Sequence, residues 1–240
     1  MGEQQRIALY GGTFDPVHFG HLAVARNVTA LFGLTEVLFI PAHIAPHKRE
    51  RAVTPPVQRY AMLALATQSE PRFRISTVEL DAPERPYTVN TLARFVETLG
   101  RAARLFFVMG ADSWLEITTW REWERVLSLA NHIVVTRPGY ELNSSHVTNA
   151  VRDAVVDLRG ANNEWVARVL DENLERTRIY LTDAATVDVS ATAIRNATQA
   201  GKDAADLASL VPSPVADYIK KYRLYRETHE TEFFDTGTTH

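Results

Sequence analysis

Short apolar runs rich in β-branched and aromatic residues alternate along the chain with longer stretches in which apolar residues recur at helical spacing. The runs predict buried strands at Ile7–Tyr10, Glu36–Ile40, Phe73–Ser76, Leu105–Met109, His132–Thr136 and Ile179–Leu181. The stretches predict helices at Leu22–Phe32, Val57–Gln68, Thr88–Leu99, Glu122–Leu129, Ala191–Ala200 and Val211–Tyr225. Strands that are apolar on both faces and separated by helices indicate a parallel sheet covered on both sides. The predicted fold class is therefore α/β, a doubly wound parallel sheet with a small helical C-terminal part.

Glycine and proline residues mark several of the predicted helix ends. Gly33, Gly100 and Gly201 each follow a predicted helix, where a C-cap glycine commonly ends one. Pro55-Pro56 favours the opening turn of the second helix, and Thr88 is predicted as the N-cap of the third.

The segment 140–177 interrupts this alternation, because it is polar, charged and rich in asparagine. Apolar stripes at Val147–Leu158 and Trp165–Leu174 predict one or two surface helices inserted between strands. Residues 228–240 are polar and threonine-rich, which is typical of a disordered tail. Since the chain shows no repeat and no low-complexity linker, we expect residues 1–227 to form a single domain that carries this insert.

Composition excludes several functional classes. The chain has no cysteine, which rules out disulfides, thiolate zinc sites and cysteine nucleophiles. Its 26 basic and 29 acidic residues leave a formal net charge of −3, which argues against nucleic acid as a partner. No run approaches the about 18 apolar residues of a membrane helix, and the polar N-terminus is unlike a signal peptide. We therefore expect a cytoplasmic protein without a membrane partner.

The strongest chemical signal follows the first predicted strand. Gly11 and Gly12 come at its carboxyl end, where open parallel sheets bind ligands and where missing side chains let backbone N–H groups approach a phosphate. His18 and His21 are three residues apart at the start of the next helix, so both can face one point beside its positive end. Gly20 between them is predicted to leave room for a bulky anion. The pattern predicts a phosphate-binding site.

The run GGTFDPVHFGH at 11–21 resembles the H-x-G-H signature of the nucleotidylyltransferase superfamily, and the chain is similar to the bacterial nicotinate-nucleotide adenylyltransferase family. Further matches keep that family's order, at Ala45–Lys48, Pro86–Leu92, Met109–Trp114 with Trp120, Thr136–Gly139 and Val189–Arg195. The resemblance covers most of the chain and implies a Rossmann-like sheet of the nucleotidylyltransferase type. It also implies an enzyme of NAD biosynthesis that joins nicotinate mononucleotide to ATP, giving deamido-NAD and pyrophosphate. Ala191 and Pro86 depart from the pattern, since serines commonly stand at both positions.

The resemblance implies roles for three groups of residues. His18 and His21 would hold the α-phosphate oxygens, and Lys48 and Arg195 would neutralise the phosphates. The implied ATP-binding residues are Gly11, Gly12, Thr13, Phe14, Gly110, Asp112, Ser190 and Thr192, and those for the mononucleotide are Tyr87, Thr88, Trp120 and Arg121. Mg²⁺ would come with ATP and bridge the departing pyrophosphate, and no residue is predicted as its ligand.

Each assignment has a structural alternative. Lys48 lies in a charged run that is typical of a solvated loop, and Trp120 is equally compatible with the core. Arg195 is compatible with capping its own helix region, and Asp112, Ser190 or Thr192 with ordinary N-caps.

Other activities also stay open at this point. The enzyme could use nicotinamide mononucleotide, alone or together with the acid. More remote readings are adenylyl or cytidylyl transfer to phosphopantetheine or an alcohol phosphate, an aminoacyl-tRNA synthetase fragment, and a non-catalytic nucleotide-binding module. A homo-oligomer is compatible with the sequence.

Overall fold

The computed structural model describes residues 4–43, 53–82, 84, 86–136, 142–172, 176–202 and 204–226. In that part of the chain seven strands pair into one sheet, and every pairing between neighbours is parallel. In chain order they are β1 (Gln5–Gly12), β2 (Glu36–Pro41), β3 (Phe73–Ile75), β4 (Ala103–Gly110), β5 (Asn131–Val135), β6 (Val155–Asp157) and β7 (Ile179–Thr182). Their order across the sheet is β3-β2-β1-β4-β5-β7-β6. The predicted parallel α/β fold is confirmed.

The helices flank this sheet on both faces. They are α1 (Phe19–Phe32), α2 (Pro56–Thr67), α3 (Thr88–Leu99), α4 (Ala111–Leu115), α5 (Trp123–Leu129), α6 (Asn149–Arg152), α7 (Asn163–Glu172), α8 (Ala191–Gln199), α9 (Ala204–Leu207) and α10 (Ser213–Lys221). All six predicted helices are present, although the last is shorter than predicted. Among the described residues no helix is both long and apolar enough to cross a bilayer.

Most of the predicted helix ends are confirmed. Gly33, Gly100 and Gly201 all have a positive φ, of 59°, 51° and 82°, which ends each preceding helix at low steric cost. Thr88 is not the N-cap of α3, because it is already the first helical residue. The N-cap is Tyr87, which has an extended backbone. Its carbonyl accepts hydrogen bonds from the N–H groups of Asn90 and Thr91 in the first turn of the helix.

In the segment 140–177 the helix predicted at Trp165–Leu174 is present as α7, whereas the stretch Val147–Leu158 forms a short helix and a strand instead of one helix. The described part of this segment contains α6, the strand β6 and α7, and β6 pairs with β7 at the edge of the sheet. Leu158, Val166 and Leu170 are buried in the core. The segment is polar overall because one face of α7 and the open edge of β6 meet solvent, while its few apolar residues complete the sheet and its cover.

Two apolar clusters lie on opposite faces of the sheet, and β4 contributes to both. Phe106 and Val108 belong to one cluster, whereas Leu105, Phe107 and Met109 belong to the other, as alternation along a strand requires. The chain runs from β1 outward to β3 and then returns to β4 on the other side of β1. In doubly wound sheets, ligands bind at such a switch point, beyond the carboxyl ends of the two strands.

Candidate active site

The loop that follows β1 is shaped around a buried phenylalanine. Phe14 has a φ of 50° and is almost fully buried. A Cβ atom added at Gly12 would lie 2.9 Å from its ring, so only glycine fits there. A Cβ atom added at Gly11 would lie 3.5 Å from the Phe107 ring, which is an ordinary contact. Gly12 is therefore required by the loop's own packing, whereas Gly11 is a place where a ligand can come close to the backbone.

His18 and His21 lie together at the start of α1. His18 is the N-cap residue, and its ring stacks on that of His21 with centroids 3.7 Å apart and planes 28° apart. The backbone N–H of His18 donates to Nδ1 of His21 at 3.3 Å. Because Nδ1 accepts, the proton of a neutral His21 is on Nε2, which makes that atom a hydrogen-bond donor.

Burial controls the charge of His18. It lowers the pKa of His18 to about 4, so the ring is neutral at neutral pH and offers one N–H donor rather than a full charge. Its Nδ1 is buried and has no hydrogen-bond partner among the described residues. A buried polar atom of this kind costs free energy unless it is paired.

Gly20 does not leave an open space for an anion, contrary to the prediction. A Cβ atom at this position would lie 3.0 Å from the His18 ring and 3.3 Å from the carbonyl oxygen of Val189. The missing side chain therefore makes room for the imidazole and lets the start of α1 approach the residues just before α8. The two helix N-termini, both favourable to anions, lie side by side.

Arg195 connects α8 to the loop that follows β1. It is 7% exposed and donates to the carbonyl of Asp15 and, at 2.8 Å, to the hydroxyl of Thr192. It therefore does more than cap its own helix region. Ser190 is the N-cap of α8, since its Oγ accepts from the N–H of Ala193 at 3.1 Å. Its own O–H can still donate to a ligand.

Gly110 and Asp112 lie at the carboxyl end of β4, next to β1. Gly110 is the N-cap of α4, and Asp112 is an exposed residue in the first turn of that helix. The alternative reading of Asp112 as an N-cap is therefore wrong. Lys48, the remaining predicted cation, lies outside the described residues, as does the rest of its motif at 45–48.

The residues predicted for the mononucleotide lie on the other side of the switch point. The guanidinium of Arg121 stacks over the Tyr87 ring, 4.7 Å from its centroid, and Tyr87 is 49% exposed. Thr88 follows as the first residue of α3. Trp120 meets Phe107 edge to face at 6.3 Å, and Phe107 is the side chain that also borders Gly11. The structure thus pairs Tyr87 with Arg121 and links Trp120 to the end of β1 through one aromatic ring.

Sequence reasoning missed a buried group of polar residues behind the loop that follows β1. Arg59 is fully buried on α2, and Asp15 is 6% exposed. The Asp15 carboxylate accepts from the hydroxyl of Tyr225 at 2.8 Å and from the N–H of Thr54 at 3.3 Å. An arginine within an amphipathic helix pattern is normally assigned to the solvent face, so the pattern carries no signal for Arg59. Asp15 lies inside the glycine-histidine motif, which could have singled it out.

Comparison with known proteins fits this geometry. The cytidylyltransferase-like family model matches residues 9–197. A protein of Thermoanaerobacter sp. strain X514 is 35% identical over 96% of this chain and 99% of its own length. One from Desulfatibacillum aliphaticivorans is 38% identical over 92% and 99%. Both relatives are named probable nicotinate-nucleotide adenylyltransferase.

Solved structures show the same fold. Plasmodium falciparum nicotinic acid mononucleotide adenylyltransferase, solved complexed with APC, superposes with a TM-score of 0.67 at 18% identity, covering 92% of this chain and 97% of that one. Its complex with NaAD superposes with a TM-score of 0.66 at 19% identity over the same shares. At this identity the structural likeness shows a shared fold only. Family membership rests on the sequence relatives and the family model. The chain therefore belongs to the cytidylyltransferase-like family and is a member of the nicotinate-nucleotide adenylyltransferase family.

Proposed function

We propose that this protein transfers the adenylyl group of ATP to nicotinate mononucleotide, releasing pyrophosphate and forming deamido-NAD. The observation that carries the proposal is the stacked pair His18 and His21, seated between the N-termini of α1 and α8 beyond the ends of β1 and β4. That place suits the triphosphate of a nucleotide. The names of the relatives, and the NaAD-bound Plasmodium falciparum structure with the same fold, support the same reaction.

The reaction needs positioning more than proton transfer. A phosphate monoester has a second pKa near 6, so the mononucleotide's phosphate is already an anionic nucleophile at neutral pH. One of its oxygens forms a bond to the α-phosphorus of ATP as the bond from that phosphorus to the bridging oxygen breaks. Pyrophosphate leaves with the electron pair. No general base is required, so the protein's task is to align the groups and stabilise the developing charge.

Each imidazole would serve as a hydrogen-bond donor to the α-phosphate. His18 is neutral at neutral pH, and His21 carries its proton on Nε2 when neutral. Arg195, held by the Asp15 carbonyl, would add a fixed positive charge beside the same loop. Ser190 and Thr192 would contribute hydroxyl groups from the start of α8, and Lys48 a second cation.

The described residues offer Mg²⁺ no ready-made cage. In that part of the chain no group of three or more histidine, aspartate or glutamate side chains converges on one point. Asp15, the carboxylate within the motif, already accepts hydrogen bonds on both oxygens. We propose, as the sequence predicts, that Mg²⁺ comes with ATP, where it would neutralise charge on the departing pyrophosphate.

We propose that the acceptor substrate is the acid rather than the amide. Tyr87, Thr88, Trp120 and Arg121 would form the mononucleotide site, with Trp120 beside the pyridine ring. The exposed Arg121 guanidinium lies over Tyr87 and 3.9 Å from the Glu122 carboxylate, and it would offer a substrate carboxylate a charged donor that a neutral amide complements less well. The cytoplasmic location and the oligomeric state stay open predictions.

The test is a steady-state assay of pyrophosphate release with ATP, Mg²⁺ and each mononucleotide side by side. We expect dinucleotide formation with both mononucleotides. The kcat/KM for the acid should exceed that for the amide by about tenfold or more, because a difference of this size is the value of one charged hydrogen bond. Equal values would identify a dual-specificity enzyme. Tight ATP binding without pyrophosphate release from either substrate would leave a non-catalytic nucleotide-binding protein and overturn the proposal.

A further inference from the structure

All three guanidinium nitrogens of Arg59 donate hydrogen bonds to backbone carbonyls. Its Nε donates to Thr54 at 2.9 Å, one terminal nitrogen donates to Thr13 at 2.7 Å, and the other donates to Ala42 at 2.7 Å and His43 at 3.2 Å. The side chain is fully buried in α2. A buried charge is costly unless it is well hydrogen-bonded, and the Arg59 guanidinium meets that condition through these backbone carbonyls.

The four carbonyls belong to three separate stretches of chain. Thr13 lies in the loop that follows β1, Ala42 and His43 come directly after β2, and Thr54 precedes α2. One planar cation therefore holds the loop that follows β1 against the residues on both sides of the segment 44–52. A guanidinium suits this task because its donors point in fixed directions within one plane.

The contact with Thr13 also orients a peptide group. In a planar trans peptide the C=O and the N–H point in opposite directions. Because the carbonyl of Thr13 faces Arg59, the N–H of Phe14 points away from α2. The peptide before it is held likewise, since the carbonyl of Gly12 accepts from the N–H of Ala42 at 2.9 Å. The carbonyls of Gly12 and Thr13 are thus both hydrogen-bonded on the side of the loop that faces β2 and α2. The N–H groups of Thr13 and Phe14 therefore point to the opposite side of the loop.

The balancing charge comes from the same loop. Asp15 is the carboxylate whose charge favours the protonated form of Arg59, against the burial that lowers the arginine's pKa. Its own oxygens are engaged by Tyr225 and Thr54. Arg59 therefore stays cationic although no carboxylate among the described residues forms a direct ion pair with it, and its nitrogens donate to the backbone.

We propose that Arg59 is a positioning residue for adenylyl transfer: it fixes the peptide groups of Thr13 and Phe14 so that their N–H groups face the phosphates of ATP. The inference rests on the proposed function. Lysine at this position would keep the charge, but a single ammonium group cannot bind all three stretches, so the loop would lose its orientation while the fold remains.

A second buried arginine provides a matched control. Arg104 is 7% exposed and donates to the carbonyl of Leu170 at 2.8 Å and to the hydroxyl of Tyr180 at 3.1 Å. It lies near the amino end of β4, whereas the candidate site lies beyond the carboxyl end. Arg104→Lys therefore reports what losing a buried guanidinium does to folding alone.

The experiment compares wild type, Arg59→Lys and Arg104→Lys in the pyrophosphate assay, at a temperature where urea unfolding shows each to be fully folded. We expect Arg59→Lys to lower kcat by about 10²-fold, the loss typical of a misplaced reacting group, while the KM for nicotinate mononucleotide changes less than about threefold. Arg104→Lys should keep kcat within about threefold. Binding of ATP alone, measured by calorimetry, should weaken in Arg59→Lys and not in Arg104→Lys.

The possible results distinguish a failure of the inference about Arg59 from a failure of the proposed function. If folded Arg59→Lys keeps the kcat and ATP affinity of wild type, or if Arg104→Lys loses as much, Arg59 is only structural and the inference is wrong. If wild type itself releases no pyrophosphate, the proposed function fails, and the ATP-binding comparison still decides whether Arg59 orients the loop. Should Arg59→Lys fail to fold, Arg59→Gln is measured by the same criteria, and loss of folding in both assigns the residue a structural role.

Discussion

Two halves of the candidate site are built in different ways. The phosphate region comprises the loop at 11–15 with His18, His21 and Arg195, and the mononucleotide region comprises Tyr87, Thr88, Trp120 and Arg121. His18 and Arg195 are 6% and 7% exposed, whereas Tyr87 is 49% exposed. The first region is held by a set of hydrogen bonds from α2, α8 and the residues after β2, while Tyr87 and Arg121 are joined by one cation–π contact.

The difference matches what each region would have to do. Charge that develops on phosphate oxygens is stabilised best by donors whose orientation is set before the substrate arrives, because no reorganisation is then needed at the moment of reaction. A planar pyridine ring with a carboxylate can instead be bound by exposed side chains that adjust around it. We therefore expect changes in the phosphate region to act on kcat and changes in the mononucleotide region to act on KM.

The largest expected effect is on the stacked histidines. His18→Ala and His21→Ala should each lower kcat by about 10²–10³-fold, the usual loss when one donor to a developing oxyanion is removed. The KM for each substrate should change far less, because the donors act mainly in the transition state. Steady-state kinetics with both substrates measures this.

A histidine outside the site serves as the control for that comparison. His146 bonds to the carbonyl of Trp114 at 2.9 Å and belongs to neither region, so His146→Ala should keep kcat within about threefold. Wild-type kcat in both His18→Ala and His21→Ala would mean that the stacked pair takes no part in the reaction.

A smaller effect is expected from pH. Burial lowers the pKa of both His18 and His132 to about 4, so between pH 6.5 and 4 the unfolded chain binds protons that the folded chain does not. The free energy of unfolding should be at its full value above pH 6.5 and fall as the pH drops towards 4, by at most about 3 kcal/mol for each histidine. Urea unfolding at a series of pH values measures this.

Substitution assigns the pH effect to its sources. His132 lies in the core beside Phe107, and its Nδ1 is 3.0 Å from the carbonyl of Ala130, a contact that asparagine can imitate. His132→Asn and His18→Asn should each flatten part of the pH profile, and His18→Asn alone should also lose activity. A profile unchanged by both substitutions would show that burial does not keep these rings neutral.

The smallest effect is expected in the mononucleotide region. An exposed charge pair contributes up to about 1 kcal/mol, so removing the charge that Arg121 would offer to the substrate carboxylate, in Arg121→Gln, should raise the KM for nicotinate mononucleotide by about two- to fivefold. The kcat value, the KM for ATP and the unfolding free energy should change little. Kinetics with the acid and the amide measure this, since only the acid should be affected. A large fall in kcat with an unchanged KM would contradict the division of labour between the two regions.

Local pattern was enough to predict six of the seven described strands, the main helices and the proximity of the two histidines in the motif at 11–21. Buried parallel strands are continuous apolar runs, helix ends need glycine or proline for backbone reasons, and both signals lie within a few neighbouring residues. The pairing of His18 with His21 follows from their spacing on one helix. Strand β6 escaped prediction because a short edge strand in a polar segment is specified by its partner β7 rather than by its own pattern.

What only the tertiary structure decided is which polar groups are buried together. Arg59, Asp15 and Tyr225 are far apart in sequence, and the residues around each of them carry no signal that the three come together. They meet behind the loop that follows β1 because α2 and the chain after α10 pack against it. Burial and hydrogen bonding depend on contacts between distant segments, which no local pattern records. The sequence by itself therefore determined the fold and the motif that predicts the reacting groups, and the tertiary structure decided how the described residues of that motif are held in place.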